Sequence, residues 1–166
     1  MKKRIPLVGL FVALAFVLSY LEYCIPFSIG IPGVKLGFAN IVVIVALFVL
    51  KPSDAFFIQL IRIVLAGLTF GSLSSMLYAL AGGIGSYVVM VLLIKTKWFS
   101  PTGISVAGGI SHNIFQLFVA CFILETSQLF YYLPILLLSG TIAGTVIGII
   151  GSLLIRRLAR IKVFDK

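Results

Sequence analysis

The chain has 166 residues, of which 61% are hydrophobic and 10% charged, and its net charge is +9. A composition this apolar excludes an ordinary soluble domain and implies an integral membrane protein. The basic residues sit at the ends of apolar runs and form no patch interleaved with aromatics, which excludes nucleic acid as a partner and fits a positive-inside topology.

The first apolar run, Ile5 to Leu21, is long enough to span a membrane and ends at Glu22. Met1 to Ser19 has the basic start and apolar core of a signal peptide, but no small-x-small cleavage site follows, so a retained first helix is expected. Gly9 and Ala13, with Ala15 close behind, give this helix a small-residue face suited to close packing, either inside the protein or against a partner subunit. Cys24 to Gly33 carries two prolines and two glycines and cannot continue a regular helix. It is too apolar for a loop in water and is expected to fold back over the protein as a cover.

A second helix is expected from Lys35 to Leu50, with Asn40 inside it, and Lys51-Pro52-Ser53-Asp54 ends it and caps the third. The third run, Ala55 to Phe70, places Gln59 and Arg62 three residues apart. An arginine near mid-span must snorkel, pair with a carboxylate or face water. A structural polar contact or a subunit interface is the first expectation for it, and a ligand contact the second. The fourth run, Leu73 to Ile94, is rich in small residues and carries Tyr78, which either hydrogen-bonds a ligand or sits at the aromatic belt.

The basic connector Lys95 to Pro101 leads to the fifth run, Thr102 to Leu124, followed by Glu125. This run contains Gly108-Gly109-Ile110-Ser111-His112-Asn113-Ile114-Phe115-Gln116-Leu117 and the chain's single histidine. On a helix His112 and Gln116 stack on one face with Asn113 beside them. Polar groups in such a position face a protein interior or a wet cavity, where they either contact a ligand or tie helices together. The sixth run, Leu129 to Ile155, carries Gly140, Gly144 and Gly148 at four-residue spacing, a groove for helix packing.

Six transmembrane helices with both termini in the cytoplasm place eleven of the 13 basic residues inside. The polar residues Glu22, Lys35, Asn40, Asn113, Gln116 and Glu125 then fall in the outer half, with His112 near the middle. This layout suits a site that takes a small molecule from outside. The residues expected to contact it are Lys35, Asn40, Tyr78, His112, Asn113, Gln116 and Glu125.

Several chemistries are excluded. No glycine-lysine phosphate loop is present, so the chain does not hydrolyse ATP by itself. Asp54 and Asp165 are the only aspartates, too few and too far apart to hold magnesium on a diphosphate. One histidine without a carboxylate pair argues against a metal site, and Ser111 points about 100° away from His112 on a helix, which argues against a nucleophile and base pair. No catalytic residue and no cofactor are expected. Cys24 and Cys121 lack metal or haem spacing and are expected to be ordinary thiols, with a disulfide between them as the alternative.

Pro32-Gly33-Val34-Lys35-Leu36-Gly37-Phe38-Ala39-Asn40, together with the glycine-histidine stretch of the fifth helix, resembles the family called heptaprenyl diphosphate synthase component I, also known as the Gx transporter family. The resemblance covers essentially the whole chain, residues 1–166, as one six-helix domain. That family is similar in turn to the S components of energy-coupling-factor (ECF) transporters. The resemblance implies an S-component-like bundle that binds a micronutrient under the loop joining helices one and two. It also implies docking on a shared transmembrane coupling subunit with two ATPase subunits. The docking pattern on helix one of such proteins is Ala-x-x-x-Ala, and here Gly9 and Ala13 stand in the matching place. The family name also leaves a noncatalytic membrane accessory of a prenyl synthase as an alternative, and a structural subunit without ligand as a third.

Overall fold

The computed structural model describes residues 4–25 and 37–161. Among them every regular element is helical: α1 (Arg4–Cys24), α2 (Phe38–Val49), α3 (Pro52–Thr69), α4 (Leu73–Thr96), α5 (Pro101–Ile123), a 3-10 helix (Gln128–Tyr132) and α6 (Leu133–Leu158). Lys35 and the proline-rich connector expected to act as a cover lie outside the described residues.

Local chemistry accounts for the helix starts. Ser72 and Ser75 form a reciprocal capping box at the head of α4, with hydrogen bonds of 3.1 and 2.9 Å. Ser100 accepts from the Gly103 N–H at 3.2 Å and Pro101 opens α5, where its missing N–H costs nothing. Helix α3 begins at Pro52 rather than Ala55. Its N-cap is Lys51, and Asp54 lies within the first turn, where a carboxylate favours the helix dipole, rather than ahead of it. The run expected as one sixth helix from Leu129 is divided, because a 3-10 turn carries Phe130, Tyr131 and Tyr132 before α6 proper begins at Leu133.

Among the described residues, α1, α3, α4, α5 and the segment containing α6 are long and apolar enough to cross a membrane. Helix α2 is not. It starts only after Gly37, whose φ of 77° is left-handed, and Asn40 is the one polar side chain among its 12 residues. A helix without a polar face belongs in an interior, and eight of the 12 residues of α2 are buried.

The packing order explains that burial. Helices α2, α3, α4, α5 and α6 follow one another as neighbours around a closed ring, while α1 lies outside it against α2 and α3. The closest seam is α5 on α6. A Cβ on Gly144 would lie 2.7 Å from the Val106 Cα, and one on Gly148 would lie 2.7 Å from the Thr102 Cα. A Cβ on Gly140 would meet the Gly109 carbonyl oxygen at 2.8 Å. The glycine groove of α6 therefore receives the backbone of α5, a contact that only residues without side chains permit.

Outside the ring, α1 turns Phe11, Ala15 and Ser19 inward and leaves Gly9, Leu10, Ala13, Leu14 and Val17 exposed. Ala15 thus belongs to the inner face, separate from Gly9 and Ala13. Lys51, Lys95, Lys97, Arg156, Arg157 and Arg160 are all exposed and gather at the α2–α3 link, the α4–α5 link and the end of α6, which form one end of the bundle. Cys24 and Cys121 are free thiols.

Candidate functional site

The ring encloses a cavity of about 230 Å³. Each of its five helices contributes lining, and Glu22 from the end of α1 joins them. Glu22 and Gly37 line it where α1 finishes and α2 begins, at the end of the bundle away from the basic residues.

Helix α5 presents Ser105, Gly108, Gly109, His112, Asn113 and Gln116 to the cavity. These positions recur every three or four residues, so the polar stretch is one continuous helical stripe. Ser111 is turned away and donates to the Ala107 carbonyl of its own helix at 2.7 Å. From α6 come Ser139, Gly140, Ala143, Gly144 and Ile147, and from α4 Ser75, Tyr78, Ala79, Ser86 and Met90.

The lining side chains differ in what they are bound to. Asn113 donates to the Leu136 carbonyl at 2.7 Å and to Ser139 Oγ at 3.4 Å, so its amide is engaged in tying α5 to α6. Gln116 is half-buried and makes no side-chain hydrogen bond to another described residue. His112 is also half-buried, and bare Gly82 leaves room for it: a Cβ there would stand 2.9 Å from the imidazole Nε2.

Helices α2 and α3 add the charged part. The Gly37 N–H donates to a Glu22 carboxylate oxygen, closing the head of α2 onto the end of α1. Arg62 Nη2 donates to Asn40 Oδ1 at 2.7 Å. One turn earlier Gln59 is 2% exposed, and Gly83 leaves space for its amide, since a Cβ there would be 2.7 Å from Nε2. Gln59 Oε1 and Arg62 Nε are buried and have no partner among the described residues.

Of the residues expected to contact a ligand, Asn40, Tyr78, His112, Asn113 and Gln116 all line this cavity. Glu125 does not. It follows the C-cap of α5 in a left-handed conformation, with φ of 49°, and is exposed. Its position beyond the last turn of α5 takes it off the helical stripe that lines the cavity. Glu22 is the carboxylate at the cavity, and Gln59 and Arg62 join it. Their i, i+3 spacing in an apolar run was the available signal. Among the described residues no group of three His, Cys, Asp or Glu side chains could hold a metal ion.

Residues 11–154 match the model of the family described as heptaprenyl diphosphate synthase component I. The chain belongs to that family. A solved structure, described as the structure and mechanism of the S component of a bacterial ECF transporter, superimposes on this member of the component I family with a TM-score of 0.68. The two are 24% identical, and the alignment covers 95% of this chain and 96% of the other. The fold is therefore that of an ECF S component. No curated protein matches the chain.

Proposed function

We propose that this component I family member is a membrane substrate-binding subunit of an ECF-type transporter, capturing a small micronutrient or cofactor-related molecule. One observation carries the reading: a closed ring of five helices surrounds a cavity of about 230 Å³ lined by amide, imidazole, hydroxyl and guanidinium groups. Polar groups set in apolar walls orient a small ligand and exclude water around it. A bundle built only to anchor other subunits has no need of such an interior.

The distribution of charge supports an orientation. With the exposed lysines and arginines of the described residues at the end opposite Glu22 and Gly37, the positive-inside rule favours that end, and both termini, in the cytoplasm of a cell membrane. In this reading the Glu22 end of the cavity faces outward. Since the sequence has no nucleotide-binding loop, uptake requires partners: a transmembrane coupling subunit and two ATPases. Gly9 and Ala13 on the exposed face of α1 are the proposed docking surface. A Cβ on Gly9 would have nothing within 4 Å among the described residues, which leaves space for another helix.

Substrate contacts are assigned to Asn40, Tyr78, His112 and Gln116, with Asn113 shaping the wall; Lys35, outside the described residues, is kept as a proposed contact on its sequence position alone. Co-purification tests the assignment. A tagged copy in mild detergent should retain the coupling subunit and ATPases, and native mass spectrometry should show a bound small molecule. Retention of a soluble prenyl synthase instead, with no coupling subunit, would favour the second reading, a noncatalytic accessory of prenyl metabolism. That reading is favoured by the family description. Against an enzymatic role of its own stands the presence of only two aspartates, Asp54 and Asp165.

A further inference from the structure

The cavity holds one arginine, Arg62, and one carboxylate, Glu22, among its described lining residues. Arg62 belongs to the inward stripe of α3 with Ala55, Ile58, Gln59 and Ile63, whose exposures run from 0 to 2%. It is therefore directed into the ring and away from lipid. Of the five N–H donors of a guanidinium, one is given to Asn40, a neutral amide. Nε is buried without a partner, and Arg62 makes no ion pair with a described carboxylate. Glu22 acts on it electrostatically, but a Glu22 oxygen is already held by the Gly37 N–H.

A cation at this depth with only a neutral partner is costly, and an anion beside it removes most of the cost. We infer that the ligand brings that anion: the cavity takes a small molecule that presents a carboxylate or phosphate oxygen group to Arg62. The planar fork of arginine suits two oxygens of one such group. Asn40 is the positioning residue that holds the guanidinium. Glu22 repels an acidic end, so the anionic group lies toward Arg62 and the uncharged or basic end toward Glu22. This inference rests on the reading of the chain as a small-molecule-binding subunit.

The test uses the full chain in nanodiscs and thermal-shift titrations with matched probes: nicotinate against nicotinamide, biotin against biotin amide, and pyridoxal phosphate against pyridoxal. An anionic member should stabilise the wild type, its neutral counterpart should bind at least tenfold more weakly, and Arg62→Gln should erase the difference. Arg62→Lys keeps a cation and should keep the preference for the anion with reduced affinity. Gln59→Glu places a carboxylate one turn from Arg62. It should raise the unfolding midpoint without ligand and weaken the anionic probe at least tenfold, an outcome that a folding defect does not mimic. A neutral or cationic probe that binds best, and binds Arg62→Gln as well as the wild type, overturns the inference while leaving the subunit reading in place. Silence from every probe counts against both.

Discussion

Gly82 of α4 and His112 of α5 meet through the bare backbone of one and both the carbonyl and the ring of the other. A Cβ on Gly82 would stand 2.8 Å from the His112 oxygen and 2.9 Å from its Cε1. The ring could rotate away, but the backbone oxygen cannot. Gly82→Ala should therefore destabilise the protein by about 1–3 kcal/mol, the usual range for overpacking. Thermal unfolding in detergent measures it, and an unchanged midpoint would show that α4 and α5 separate more easily than their contact implies.

The two amides of α5 should behave differently. Asn113 is engaged with α6, so Asn113→Ala should lower stability by about 0.6–1.7 kcal/mol, the range for interhelical hydrogen bonds in membranes. Gln116 makes no such bond, so Gln116→Ala should leave the unfolding midpoint near that of the wild type and reduce the amount of ligand retained in native mass spectrometry. Equal stability losses for both would assign the whole stripe to packing.

His112→Ala should cost roughly 1–3 kcal/mol of ligand binding while the protein stays folded, as expected when a polar ligand group loses its hydrogen-bonding partner. Calorimetric titration with whatever ligand co-purifies reads this directly. Unchanged affinity would remove His112 from the contact set.

On α1 the space around Gly9 separates folding from assembly. Gly9→Leu meets no neighbour within 4 Å at its Cβ, so the isolated chain should unfold at the wild-type temperature. Co-purification of the coupling subunit should nevertheless fall at least tenfold if this face docks there. Full recovery of the complex would direct the search to another surface.

Much of the fold was legible from the alternation of apolar runs with proline, glycine and basic breaks, because a membrane helix must satisfy its own backbone and leaves a long apolar signature. The family expected from the two motif stretches is the family whose model matches. The length of α2 was less legible. Leu36 and Gly37 continue an apolar run in composition, while the left-handed backbone at Gly37 delays the helix until Phe38. The Arg62 to Asn40 hydrogen bond was hidden for a different reason: its partners are 22 residues apart on different helices, and only the ring brings them together. Asn113 and Gln116 looked alike because residue type and spacing do not reveal which carbonyl lies opposite. Glu22 and Glu125 both lie at helix ends, and residue type and position alone do not tell which one meets the cavity.

The shortness of α2 has a consequence for the Asn40 to Arg62 contact. At about 1.5 Å per residue its 12 residues rise about 18 Å, against about 27 Å for the 18 residues of α3. The two helices meet at the Leu50 and Lys51 link, so the shortfall lies at the opposite end, where the Gly37 N–H meets Glu22. Asn40 therefore stands in the first turn of α2 and yet meets Arg62, which lies ten residues, or about 15 Å, along α3. The short helix thus brings the amide at its own head to the middle of its neighbour.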